Sequence, residues 1–138
     1  MSYDETFLAP MRAELTRLGV RELRTPAEVD AALTDARGTT LVVVNSICGC
    51  AARNARPAVT LALAGKKRPA TLTSVFAGQD MEATARARSH LAPHAATSPS
   101  IALLKDGKVA YMMERRSIEG RDAESIAKDL REAFEKFC

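Results

Sequence analysis

The sequence predicts an α/β fold in which a central mixed sheet is flanked by helices, and three observations support this prediction. The continuous β-branched run at residues 39–45 is typical of a strand buried on both faces, as in parallel sheets. Segments with helical periodicity alternate with the early strands, which favours βαβ units. Near the end of the chain, Asp106-Gly107 separates two short apolar runs and so predicts an antiparallel hairpin.

The first third of the chain predicts two helices around a short strand. Apolar residues recur at a spacing near 3.6 over residues 4–18, which predicts an N-terminal helical extension. Its apolar positions are Phe7, Leu8, Met11, Leu15 and Leu18. A short strand at residues 20–23 precedes Thr25-Pro26-Ala27-Glu28, where a capping residue, a first-turn proline and an acidic residue indicate a helix start. Gly38 is expected to end this second helix.

The rest of the chain predicts three helices and three strands beyond the run at residues 39–45. A helix over residues 51–64 is expected to be kinked by Pro57, because proline removes one backbone hydrogen bond. A strand at residues 71–76 and a helix at 80–91 follow, and Pro93 terminates that helix. Strands at residues 100–104 and 109–113 form the hairpin. The last helix, residues 122–137, carries one apolar stripe of Ile126, Leu130, Phe134 and Phe137.

The composition predicts a single domain spanning residues 1–138, because a chain of 138 residues with 46% hydrophobic residues can bury one core. The basic clusters Lys66-Lys67-Arg68 and Arg115-Arg116 are short and lack interleaved aromatic residues, so no nucleic-acid partner is expected. No apolar run approaches the roughly 18–20 residues that span a bilayer, so no membrane partner is expected. The segment at residues 1–5 is acidic and lacks a signal-peptide pattern, which predicts a cytoplasmic location.

Cys48-Gly49-Cys50 directly follows the run at residues 39–45, so the two thiols are expected where a strand ends and a helix begins. A helix N-terminus offers unpaired N–H groups and the positive end of a dipole, which stabilise a thiolate. The chain has three cysteines, an odd number that does not suit a disulfide framework in a reducing compartment. The sequence therefore predicts redox chemistry at Cys48 and Cys50.

The one-residue spacer constrains any bond between these two sulfurs. Side chains two residues apart on a helix point to nearly opposite faces, so a Cys48–Cys50 disulfide needs non-helical geometry around Gly49. Such a bond is expected to be strained, and strained disulfides are easily reduced.

The order of the elements, with thiols at a strand-to-helix turn and a hairpin plus a terminal helix after it, resembles the thioredoxin fold. Proteins of that fold place a cis-proline beside the reactive sulfur, and Ser98-Pro99 lies just before a predicted strand. The resemblance therefore implies that Ser98 and Pro99 support the active-site turn and that the bond between them is cis.

A narrower resemblance covers almost the whole chain, because several ordered motifs are similar to those of the bacilliredoxin family. These motifs are residues 39–52, Ala55-Arg56-Pro57-Ala58, residues 75–80, Ser98-Pro99-Ser100, Pro10-Met11-Arg12 with Glu14-Leu15, Ile118-Glu119-Gly120 and Cys138. The family is implied to have a thioredoxin-like fold and to remove bacillithiol, a low-molecular-weight thiol, from mixed disulfides on proteins.

The resemblance also implies roles for individual residues. Cys48 would be the nucleophile, and Cys50 either the resolving thiol or a supporting group while a second bacillithiol resolves the adduct. Bacillithiol would be a co-substrate with no bound cofactor, and the partners would be bacillithiol and bacillithiolated client proteins. Because bacillithiol carries carboxylates, Arg53 and Arg56 are candidate thiol-binding cations. Asn45 is a candidate for orienting the turn, although capping of the following backbone is the commoner role of a polar residue at a strand end.

Three other functions stay open at this point. A general protein disulfide oxidoreductase or weak isomerase would use an oxidising Cys48–Cys50 pair. A metal site would add His90 and His94 to the two thiols, but the one-residue spacer and the intervening Pro93 disfavour it. A non-catalytic interaction module would keep its cysteines buried and inert. Cys138, at the negative end of a helix, is expected to be a slow, exposed thiol.

Overall fold

The computed structural model describes residues 3–138, so Met1 and Ser2 of the acidic N-terminal segment lie outside the described residues. The elements of the first half are α1 (Glu5–Thr16), β1 (Arg21–Glu22), α2 (Pro26–Leu33), β2 (Thr39–Asn45), a π-helical turn (Ala51–Ala55) and α3 (Arg56–Leu63). The elements of the second half are β3 (Thr71–Phe76), α4 (Met81–Leu91), β4 (Ser100–Lys105), β5 (Lys108–Met113), a 3-10 turn (Arg115–Ser117) and α5 (Ala123–Phe137).

The strands form a five-stranded sheet in the order β1-β3-β2-β4-β5. β3 pairs in parallel with both β1 and β2, whereas β4 runs antiparallel to β2 and to β5. Asp106 and Gly107 join β4 to β5 with φ angles of 50° and 81°, the left-handed conformation that a two-residue hairpin turn of this type requires. The predicted mixed sheet, with βαβ units first and a hairpin last, is confirmed. The arrangement is thioredoxin-like, with α1 as an N-terminal helical extension.

The side chains of β2 alternate between two apolar layers, one on each face of the sheet. Leu41 and Val43 face the layer that includes α3 and α5, and Val42 and Val44 face the layer that includes α2 and α4. All four are at most 1% exposed. A strand covered on both faces favours apolar residues on both, which is why residues 41–44 at its centre are continuously apolar in the sequence.

Two details of the predicted N-terminal helices were wrong. The second helix ends at Leu33 rather than near Gly38, because Thr34 turns to an extended conformation and Asp35 adopts a φ of 56°. In α1, Phe7 is 50% exposed instead of packing on the core. The buried face of α1 contains Arg12 between two leucines, so a charged residue occupies a position that periodicity reserves for apolar ones.

The single kinked helix predicted after the cysteines is instead a π-helical turn followed by α3. The N–H of Arg56 donates to the carbonyl of Ala51, five residues earlier, and Pro57 then lies in the first turn of α3. A proline is tolerated in the first turn of a helix because its missing N–H has no helical partner there. The wider π turn therefore moves Pro57 from the interior of one helix to the start of another.

Among the helices of residues 3–138, none has the length and apolar character required to cross a membrane. α5 has 15 residues and is amphipathic instead. Ile126, Leu130 and Phe134 of the predicted stripe are buried, whereas Phe137 is only half-buried at the end of the helix.

Candidate active site

The two thiols lie in the turn that connects the end of β2 to the helical segment. Asn45 is the last residue of β2, and the carbonyl of Cys48 accepts hydrogen bonds from the N–H groups of Ala51 and Ala52, each at 3.1 Å. Helical hydrogen bonding therefore begins at Cys48. The structure places this thiol at the N-terminal end of a helical segment, where a thiolate is favoured.

The surroundings of Cys48 favour its ionised form. The thiol is half-buried, and this burial by itself disfavours a thiolate. Against it act hydrogen bonds from the Ser46 side chain and the N–H groups of Ala51 and Cys50, together with the positive charge of Arg115. These groups outweigh burial, so the pKa of Cys48 is lower than that of an ordinary thiol.

Cys50 lies in the opposite environment. Its Sγ is 3.7 Å from Oε2 of Glu119 and 3.7 Å from Nη2 of Arg115. Burial raises the pKa of Cys50, and the neighbouring Cys48 and Glu119 raise it further, against the attraction of Arg115. Both cysteines are free thiols. The site therefore pairs a sulfur that favours the thiolate with one that favours the thiol.

We expect this difference to appear in the pH dependence of alkylation. Because only the thiolate reacts and the pKa of Cys48 is lowered while that of Cys50 is raised, Cys48 should react with iodoacetamide at lower pH than Cys50. Replacing Arg115 with Gln should move the Cys48 profile towards higher pH, since a favourable positive charge is lost. Peptide mass spectrometry after timed alkylation between about pH 5 and pH 10 measures both profiles. Coincident profiles for the two thiols would contradict the assignment.

Sequence reasoning missed two site residues, Arg115 and Glu119. From the 3-10 turn after β5, Nη1 of Arg115 donates to the carbonyl of Ser98 at 3.1 Å and its Nη2 donates to Glu119 at 3.0 Å. Its backbone N–H donates to Oγ1 of Thr97 at 3.2 Å. Arg115 thus connects the Ser98-Pro99 segment to the thiols. In the sequence it stood out only as half of a short basic cluster, although Glu119 belonged to one of the family-like motifs.

The Ser98–Pro99 peptide bond is cis, in agreement with the expectation from the resemblance. Ser100, the next residue, begins β4 and pairs with Val44 near the end of β2. This register brings the Ser98-Pro99 segment to the sheet edge from which the cysteine turn emerges. A second cis bond, Ala92–Pro93, lies after α4 and was not anticipated.

Asn45 and Arg56 hold the turn from inside the protein. Oδ1 of Asn45 accepts hydrogen bonds from the N–H of Ser46 and from Nη1 of Arg56, each at 2.9 Å. Arg56 also donates to the carbonyl of Ser46 at 2.8 Å and pairs with Glu14 of α1 at 2.8 Å. Ser46 Oγ then accepts the N–H of Cys48 at 3.1 Å. Asn45 is therefore placed where it can orient the turn.

The two arginines named as candidate thiol-binding cations lie in different places. Arg56 is only 2% exposed, and its guanidinium is hydrogen-bonded to Glu14, Asn45 and Ser46. The prediction that it binds bacillithiol at the surface is therefore corrected, because it lies on the helix face that packs towards α1 and the end of β2. Arg53 is exposed, and its guanidinium lies against Gly49. A Cβ atom at Gly49 would be 2.6 Å from Nη2 of Arg53, so glycine leaves the room that this guanidinium occupies.

The histidines of the alternative metal site lie beside carboxylates. Nε2 of His90 is 3.3 Å from Asp30 of α2, and Nδ1 of His94 is 4.0 Å from Glu114. Within residues 3–138, no three His, Cys, Asp or Glu side chains are grouped so that they could hold a metal ion. The four residues of that alternative therefore do not form a ligand set in the described part of the chain.

A mixed sheet of this topology, a thiol at the start of a helical segment and a cis-proline at the same sheet edge define a thioredoxin-like protein with a thiol centre. The family model described as disulphide isomerase matches residues 3–138. A bacilliredoxin of Salinibacter ruber is 55% identical to this chain, over 100% of the chain and 82% of the relative. Bacilliredoxins of Halalkalibacterium halodurans and Cytophaga hutchinsonii are 47% and 46% identical, over 99% and 97% of the chain and 94% and 98% of the relatives. The chain belongs to the bacilliredoxin family, and its function is thiol–disulfide redox chemistry in the general sense.

Proposed function

We propose that this protein removes bacillithiol from mixed disulfides on client proteins, with Cys48 as the nucleophile. The observation that carries the proposal is the opposite tuning of the two thiols, which leaves one sulfur ready to attack and the other protonated. The names of the relatives, all bacilliredoxins, support bacillithiol as the thiol that is removed. We propose a cytoplasmic location for the reaction, because free thiols persist in that reducing compartment.

In the proposed step, the Cys48 thiolate attacks the bacillithiol sulfur of the modified client. The sulfur–sulfur bond of the client breaks, and the client sulfur leaves as a thiolate that takes up a proton. A new disulfide joins Cys48 to bacillithiol. Either Cys50 or a second bacillithiol then attacks this adduct, releasing bacillithiol as the reduced thiol. Bacillithiol is a co-substrate in this scheme, and no bound cofactor takes part.

Arg115 and Arg53 are the cations that we propose for the carboxylates of bacillithiol. Arg115 has 41% of its side chain exposed and lies 3.7 Å from the Cys50 sulfur, beside the position that an adduct on Cys48 would occupy. Arg53 is exposed over Gly49. Arginine suits this task because its planar fork can donate two parallel hydrogen bonds to a carboxylate. Arg56 is excluded from this role because it is enclosed.

Intact-mass spectrometry after mixing with a bacillithiolated client protein tests the proposal. Cys50→Ala should accumulate one bacillithiol adduct, because the internal thiol that could close on it is absent. Cys48→Ala should accumulate none, because the attacking sulfur is missing. An adduct of equal yield in Cys48→Ala would show that another thiol is the nucleophile.

In the matched control, the reduced wild-type protein is mixed with each of three client proteins that differ only in their disulfide. A bacillithiolated client should be restored at least about tenfold faster than a glutathionylated one or one with an internal disulfide. Equal rates on all three would instead favour a general disulfide oxidoreductase or weak isomerase, the alternative to which the family description disulphide isomerase points.

A further inference from the structure

Cys50 meets two charged side chains in a triangle of close contacts. Its Sγ is 3.7 Å from Oε2 of Glu119 and 3.7 Å from Nη2 of Arg115, and these two groups are 3.0 Å from each other. A carboxylate can only accept hydrogen bonds and a guanidinium can only donate them. The contact between Cys50 and Glu119 therefore requires the hydrogen to be on the sulfur, so this contact stabilises the thiol.

The charged groups that face Cys50 come from three segments. Cys48 faces it from the same turn, Arg115 from the 3-10 turn and Glu119 from the residues just beyond it. The guanidinium of Arg53 lies over the intervening Gly49. Arg115 attracts a thiolate on either cysteine, but Glu119 offsets that charge next to Cys50. Cys48 has no carboxylate contact of this kind among the described residues and receives N–H groups instead.

We propose that Glu119 is a positioning residue that holds Cys50 as the thiol and so slows its attack on a mixed disulfide at Cys48. This inference rests on the proposed function for its place in turnover. In that attack Cys50 gives up its proton to solvent and its sulfur bonds to that of Cys48. The bond from Cys48 to bacillithiol then breaks, and the electron pair leaves on the bacillithiol thiolate, which is protonated. Only the thiolate of Cys50 can attack, so a carboxylate that stabilises its S–H bond lowers the reactive fraction.

The contact between Glu119 and Cys50 has its clearest effect on the ionisation of Cys50 once bacillithiol is bound to Cys48. Cys48 then cannot carry a negative charge, because its sulfur is part of a disulfide. Glu119 is then the anionic protein group that faces Cys50 within residues 3–138. The balance between Glu119 and Arg115 therefore sets how long the adduct survives before the internal disulfide closes.

Closure can be measured directly with a thionitrobenzoate disulfide formed on Cys48 by Ellman's reagent. The otherwise wild-type protein and the Glu119→Gln variant are compared, and both also carry Cys138→Ser so that the exposed third thiol does not react. We expect Glu119→Gln to release thionitrobenzoate by internal closure about two- to fivefold faster at neutral pH, because a larger thiolate fraction is partly offset by its lower nucleophilicity. At high pH, where Cys50 is ionised in both proteins, this advantage of Glu119→Gln should disappear or reverse, because only the lower nucleophilicity of its thiolate remains.

Two further variants make the result decisive. Glu135→Gln removes an exposed carboxylate of α5 and should close at the wild-type rate. Glu119→Asp retains the charge and should restore slow closure at least in part. Closure that is equal or slower in Glu119→Gln at neutral pH, or faster closure in Glu119→Gln that persists at high pH, overturns the inference. Failure of the proposed function has a different signature, since a wild-type protein that never acquires bacillithiol from a client would still report closure with thionitrobenzoate.

Discussion

Replacing Cys48 with serine is expected to lower the rate of bacillithiol release from a client protein by at least about 1,000-fold. The serine hydroxyl has nearly the shape of the thiol but stays protonated at neutral pH, so the attacking anion is lost. The hydrogen bonds from Ser46, Ala51 and the Cys50 N–H lower the pKa of Cys48, but they cannot compensate for the replacement of sulfur by oxygen. Release is measured as the recovery of free client thiol with time.

Two variants control for loss of structure. Cys138→Ser changes an exposed thiol at the end of α5 in the same chemical way and should keep the wild-type rate. Cys50→Ser should still remove bacillithiol from the client in the first step, since the attacking sulfur is intact. Thermal unfolding of Cys48→Ser close to that of the wild type would show that the site alone is affected. Retention of more than a few per cent of the rate in Cys48→Ser would remove Cys48 from the role of nucleophile.

The parts of the fold that could be predicted are those whose sequence signal is local. β2 and β3 begin and end at the predicted residues, because β2 has a continuous run of β-branched and apolar residues and β3 alternates as a strand does. The hairpin was equally clear, since Asp106-Gly107 supplies two left-handed residues in succession. The cysteine turn followed directly from the end of β2. These features depend on neighbours a few residues away.

The parts that could not be predicted depend on partners far along the chain. Arg115 and Glu119 lie 65 and 69 residues from Cys50, and nothing in the local sequence links them to a thiol. Arg56 looked like an exposed helical cation, but it bridges Glu14 and the end of β2. Helical periodicity assigns charged residues to solvent, so it cannot identify an arginine that is buried against hydrogen-bond acceptors far along the chain.

The buried contacts of Arg56 explain why an N-terminal helical extension belongs to this site. Glu14 of α1 fixes the guanidinium, which in turn holds the Asn45 side chain and the Ser46 carbonyl. Ser46 then presents its Oγ to the N–H of Cys48. Hydrogen bonds through Arg56 and Ser46 thereby connect Glu14 of α1 to the backbone N–H of Cys48. Changes on α1 can therefore alter the site although the helix contributes no atom to the chemistry.

Replacing Arg12 with methionine is expected to lower the free energy of unfolding by about 3–5 kcal/mol. The Arg12 side chain is 8% exposed and pairs with Glu22 and Asp80 at 2.7 Å each, both of which are 12% exposed. It also pairs with the more exposed Glu5 at 3.1 Å and lies over the Phe76 ring, 5.0 Å from its centroid. Methionine fills much of the volume but leaves two largely buried carboxylates without the cation between them. The half-exposed Arg24, whose Nε is 3.7 Å from Oδ1 of Asp80, is then the cation that remains beside Asp80.

Urea unfolding compares Arg12→Met with Arg37→Met, which changes an exposed arginine in the same way and should alter the free energy of unfolding by less than about 0.5 kcal/mol. Removing one of the stranded carboxylates should recover part of the loss. The double variant Arg12→Met, Asp80→Asn is therefore expected to be more stable than Arg12→Met alone, although Asp80→Asn by itself is destabilising. If the losses in free energy of unfolding of the two single variants add in the double variant, Arg12 acts through packing on Phe76. In that case removal of the guanidinium would not make the Asp80 carboxylate unfavourable.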